Sequence, residues 1–77
     1  MSVKPLNSLA PGHTAIIKEF RDNARLQSRI VEMGILPGVK VRMIKKTPLN
    51  GPIEIKVNEF YLSLRRDLAN KVYVNKR

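Results

Sequence analysis

Cysteine is absent from this sequence, and so is tryptophan. Without cysteine no disulfide can staple the chain and no thiolate can hold a metal, which fits a cytoplasmic address. Histidine occurs once, as His13, at a turn with no acid beside it in sequence. A nucleophile–histidine–carboxylate arrangement therefore lacks its material. No apolar run approaches the roughly 20 residues needed to span a bilayer. The amino end lacks the apolar core of a signal segment, so a soluble protein is expected, any membrane connection being peripheral or through a partner.

Acidic residues are also scarce. Glu19, Asp22, Glu32, Glu54, Glu59 and Asp67 face 15 Lys and Arg, a formal net charge of +9. None of the six makes the i, i+4 pair or the His–Glu spacing of a first-row metal site, so any metal binding is expected to be weak or incidental. The four glycines, Gly12, Gly34, Gly38 and Gly51, are scattered at turns, so no phosphate-binding loop is present. Enzymatic activity has little to stand on, and neither a catalytic residue nor a cofactor is assigned.

A chain of 77 residues is one domain, 1–77, burying only about 60% of the surface its unfolded form exposes. There is room for one small core and none for a deep active site. Function is expected on the surface.

What the chain does have is alternation. His13 to Phe20 reads as a first strand, entered through Pro11-Gly12, with Pro5 to Ala10 before it as an irregular arm anchored by Leu6 and Leu9. A helix follows over roughly Ala24 to Met33, capped by Asp22 or Asn23, with Leu26, Ile30 and Met33 on its packing stripe and Glu32 able to pair with Arg29. Gly34 stops it, and Ile35 is placed to pack back on the last turn near Ile30. Pro37-Gly38 fits the centre of a type II turn. Val39, Val41 and Met43 then alternate with polar residues, as do Ile53, Ile55 and Val57, and Phe60, Leu62 and Leu64. Arg66 to Asn70 reads as a short helix or turn, and Lys71 to Val74 closes the sheet.

About five short strands around one core close best as a small SH3-like barrel, with the helix between the first two strands and no exposed edges. An oligonucleotide-binding barrel is the runner-up, disfavoured because its usual helix falls later in the chain. Ile17, Leu26, Ile30, Val41, Ile55, Val57, Leu64 and Val74 are the expected inward set. Gly34, Pro37, Gly38 and Gly51 are the structural turn positions.

The basic residues fall in groups. Lys45 and Lys46 belong to a long, basic, proline-bounded hairpin tip, Lys45–Pro52, where Leu49 sets an apolar side chain beside the charge. Arg21, Arg25 and Arg29 run onto the helix, and Arg65 and Arg66 end the fourth strand. Such a field attracts nucleic acid, anionic lipid or an acidic protein face, or merely keeps a small domain soluble. Binding of nucleic acid on a barrel usually adds aromatic platforms. Here only Phe20, Phe60, Tyr61 and Tyr73 are aromatic, and both phenylalanines read as core. That reading is kept as the alternative, and disfavoured.

Taken in order, Leu6, Leu9 and Pro11-Gly12, then Ala15 and Ile17, then Leu26 and Met33-Gly34-Ile35-Leu36-Pro37-Gly38, resemble the FeoA family. The hairpin Thr47–Ile53 and the closing residues Phe60, Leu62, Leu64-Arg65, Leu68-Ala69 and Val72–Val74 extend the resemblance over almost the whole chain. Tyr61, where the family often has a small or polar residue, and Ser63, at an alanine-like position, depart from the pattern. The resemblance implies an SH3-like barrel, in a small cytosolic accessory protein of bacterial ferrous iron uptake. It implies a partner in the cytosolic part of the membrane GTPase transporter for ferrous iron. Arg25, Arg29, Lys45, Lys46 and Leu49 are the candidate partner-binding residues. Oligomeric state is left open.

Overall fold

The computed structural model of the chain describes residues 3–21 and 24–76, the side chains of 24–27 and 76 excepted. In chain order the elements are β1 (Val3–Pro5), a 3-10 turn at Leu6–Ser8, β2 (Thr14–Phe20), α1 (Ala24–Glu32), β3 (Lys40–Lys46), β4 (Ile53–Val57), β5 (Phe60–Leu64), α2 (Arg66–Ala69) and β6 (Val72–Lys76). The strands pair antiparallel in the order β1-β6-β2-β3-β4-β5. The cap expected at Asp22 or Asn23 and the side chain of Leu26 lie outside what is described.

The amino-terminal arm is more regular than its sequence suggests. Val3, Lys4 and Pro5 pair with Asn75, Val74 and Tyr73 at the other end of the chain. The sheet therefore has six strands, and the helix falls between the second and third. Leu6 and Leu9 are buried behind this strand, as anchors should be.

Two irregularities bend the sheet into an SH3-like barrel. The β2–β6 register shifts between Ile17 and Glu19, and the β3–β4 register between Met43 and Lys45. Each inserts a residue on one strand and sharpens the local twist. Closure is not complete: among the described residues β1 and β5 each pair on one side only. The helix α2, which follows β5, packs on the 3-10 turn that follows β1, bridging the gap between those two strands. The expected loss of edges is therefore replaced by short, partly covered ones.

The core holds Ile17, Ile30, Val41, Ile55, Val57, Leu64 and Val74 as the alternation requires, with Ala15, Ile35, Met43, Ile53, Ala69 and Val72 filling around them. Two expected core contributions differ. Met33 is exposed, because the helix turns at Gly34 and Ile35 takes the inward place. Phe60 is 69% exposed: it shares a face with buried Val57, but it begins an edge strand whose inner side is covered only towards Leu64. Glu32 makes no ion pair with Arg29 in the structure.

The joint from α1 to β3 is built from backbone. Gly34 N–H donates to Val31 O at 2.9 Å and Ile35 N–H to Ile30 O at 3.3 Å, with Gly34 at φ +88°. Those two bonds make a Schellman motif. Val39 N–H then closes the turn on Leu36 O at 3.1 Å with Gly38 at φ +92°, a type II arrangement. Gly38 N–H and Val39 O both bond to Ile17, at 2.8 and 2.9 Å, and this fastens the joint to β2.

Candidate functional site

The hairpin between β3 and β4 carries three of the five candidate residues. Thr47 N–H donates to Pro52 O at 3.2 Å and Gly51 N–H to Pro48 O at 3.3 Å. Leu49 and Asn50 sit at φ 61° and 60°, the signs of a type I′ turn. Asparagine tolerates that region; leucine does so at a cost of roughly 1–2 kcal/mol. Leu49 is nonetheless 99% exposed, so no packing in the domain offsets the strain. A β-carbon on Gly51 would fall 2.8 Å from the Thr47 side chain, which explains the glycine there as a close approach.

What holds this tip is Arg66, whose role is not legible in the sequence. Its Nε donates to Gly51 O at 3.2 Å and its Nη2 to Thr47 O at 3.0 Å, across from the start of α2. One guanidinium therefore binds both ends of the turn. A signal existed only in the residue type, since arginine's fork can reach two carbonyls at once.

Lys45 and Lys46 stand at the base of the tip on successive strand positions. Lys45 lies opposite Glu54 and Lys46 opposite buried Ile53, so their side chains leave on different faces. Lys45 is exposed and Lys46 half-buried, its stem covering apolar rim. Arg29 is exposed in the last turn of α1. The carboxyl end of α1 lies beside Val57, Asn58 and Phe60, whereas the tip follows Lys46 and precedes Ile53. These are opposite ends of β4, so the structure does not bring Arg29 together with Lys45, Lys46 and Leu49. Arg25 lies in α1, and its side chain is among those not described.

Other cations are already engaged. Arg21 grips Glu19 with Nε at 2.9 Å and Nη2 at 2.8 Å and lies over Tyr73, 3.9 Å from the ring centroid. The hydrogen bond to Glu19 raises its pKa further, so it is a fixed structural charge. Arg65 pairs with Asp67 at 3.6 Å. His13 is exposed at the entry to β2. Among the described residues no three His, Cys, Asp or Glu converge to hold a metal ion, and no helix is long and apolar enough to cross a membrane.

Fold and surface together define a class: a small SH3-like β-domain whose exposed chemistry is cationic and apolar. Residues 4–76 match the model of the FeoA domain. A fusion of Fe(2+) transport protein A with the Fe(2+) transporter FeoB from Porphyromonas gingivalis is 30% identical over 69 residues, covering 90% of this chain but 8% of that protein. The chain thus corresponds to a small part of that relative. The crystal structure of an iron uptake regulatory protein, FeoA, superposes with a TM-score of 0.91 at 29% identity, over 99% of this chain and 100% of the other. Iron(II) transport protein A from Clostridium thermocellum, solved in solution, gives 0.87 at 30% identity over 94% of this chain and 44% of the other. The chain belongs to the FeoA domain family.

Proposed function

We propose that this protein is a non-enzymatic accessory module that binds the cytosolic part of a membrane ferrous iron transporter and regulates it. The observation that carries this reading is Leu49, a leucine wholly exposed in a left-handed conformation on a tip pinned by Arg66. Strain held in place at an exposed apolar residue is expected where that residue is used. Support for the partner comes from the Porphyromonas gingivalis relative, in which a similar domain shares a chain with a transporter. Leu49 is the apolar anchor, and Lys45 and Lys46 steer an acidic face towards it. Arg29, in the last turn of α1, and Arg25, in the same helix, are the remaining proposed contacts. The protein acts in the cytoplasm and is recruited to the inner face of the membrane by its partner.

Co-purification of the transporter from a membrane extract at physiological salt tests this. K45E/K46E should weaken both retention and cellular iron uptake with the fold intact. If that variant and Leu49→Ala both leave retention and uptake unchanged, the tip is not the contact.

A second reading, nucleic-acid binding, gains from one observation. Tyr61 is 62% exposed and Lys56 Nζ lies 5.5 Å from its ring centroid, the pairing of stacking surface and charge that single strands use. Nuclease treatment of the same extract separates the two readings.

A further inference from the structure

The outer face of β2, β3 and β4 breaks a rule that the rest of the sheet keeps. Thr14 pairs with Arg42, Arg42 with Lys56, and Lys56 with Tyr61, one unbroken row across four strands. Arg42 and Lys56 are like charges directly opposite one another, an arrangement that destabilises a sheet. Lys40 stands two residues from Arg42 on the same face and adds a third cation.

Two arginines elsewhere are answered by acids: Glu19 holds Arg21, and Asp67 lies against Arg65. Here none does. Among the described residues Lys40, Arg42 and Lys56 take part in no ion pair. These three, with Thr14 and Asn58, line an open cleft of about 250 Å³. Opposed β-carbons sit roughly 5 Å apart and diagonal positions about 7–8 Å, so the three side chains leave the sheet close together, with the Lys56 ammonium 5.5 Å from the Tyr61 ring centroid at one side. A hydroxyl and an amide at its margins supply further polar contacts.

We infer that this cleft binds a diphosphate-type anion, the two adjacent phosphates spanning Arg42, Lys56 and Lys40. Arg42 provides the planar fork that suits phosphate oxygens, and the lysines act as point charges. The bound anion removes the repulsion that the empty face carries. Such a group can come from a free nucleoside polyphosphate or from a lipid bearing two phosphates. The inference is independent of the transporter reading, and its residues differ from those of the hairpin tip.

Calorimetry with inorganic pyrophosphate and with ATP, at physiological salt, tests the free source. Co-sedimentation with phosphatidylcholine vesicles, with and without cardiolipin, tests the lipid source. One pyrophosphate should bind per chain, or the cardiolipin vesicles alone should be retained. In either arm Arg42→Gln and Lys56→Gln should each weaken binding about tenfold, as loss of a charge-assisted hydrogen bond does. Lys45→Gln and Lys46→Gln change net charge equally and should weaken it less than about twofold, because long-range charge is screened at this salt. Lys56→Glu should abolish binding yet raise the melting temperature, since it turns a repulsive cross-strand pair into an attractive one. Equal weakening by tip and cleft variants, or no saturable binding in either arm, would overturn the inference. So would tight binding of a single-stranded oligonucleotide that depends on Tyr61 while pyrophosphate does not compete.

Discussion

The N–H of Ile35 donates to the carbonyl of Ile30 at 3.3 Å, and both side chains are fully buried. One backbone bond thus closes the helix end and delivers a second isoleucine into the core. Each such burial contributes about 1.5–3 kcal/mol. The bond forms only because Gly34, between them, takes φ +88°.

Gly34→Val should therefore be among the most damaging single changes in the domain. A β-branched residue there is driven out of the left-handed region, the Schellman bonds are lost, and Ile35 leaves its place. A loss of about 2 kcal/mol or more is expected. Arg29→Ala, on the exposed face of the same helix, should stay within about 0.5 kcal/mol. Thermal denaturation of the two variants side by side checks the ordering.

Arg66→Ala should release the hairpin tip without unfolding the barrel. Losing two bonds from a charged donor to the carbonyls of Gly51 and Thr47 should cost about 1 kcal/mol at this part-buried site. Faster hydrogen exchange at the Thr47 and Gly51 amides is the specific readout. Arg66→Lys should not restore protection, because an ammonium cannot present two parallel donors.

Leu49→Asn separates strain from use. Asparagine accepts the left-handed conformation, so the variant should be more stable than the parent by about 1 kcal/mol. Transporter retention should fall at the same time. A stabilised variant that binds as well as the parent would mean that Leu49 is only tolerated at the tip.

Asn75 offers a gain of a different kind. Its side-chain Oδ1 is buried without a hydrogen-bond partner, in a strand that pairs on both sides, with Val3 and Ile16. Asn75→Val removes the unmatched acceptor and favours the strand, so stability should rise by about 1 kcal/mol. Chemical denaturation with an unchanged slope would show that the gain belongs to the folded state.

Much of this domain was determined locally. The period-two runs from Val39, Ile53 and Phe60, the glycine stop at Gly34 and the Pro37-Gly38 turn depend on residues a few places apart. Steric limits on φ and the geometry of a strand act at that range, so the helix, most of the strands and most of the inward set were legible in the sequence. Tertiary structure decided what depends on distant partners. The short strand Val3–Pro5 exists because β6, some seventy residues later, presents an edge to it. Phe60 is exposed because it begins an edge strand, β5, which among the described residues pairs only with β4, a fact of sheet order that alternation does not carry. Arg66 reads as one basic residue among many until α2 lies across the hairpin. The row of Thr14, Arg42 and Lys56 likewise appears only once three strands are in register. Charge in a sequence is a sum, whereas which charges face each other is set by pairing between segments far apart in the chain.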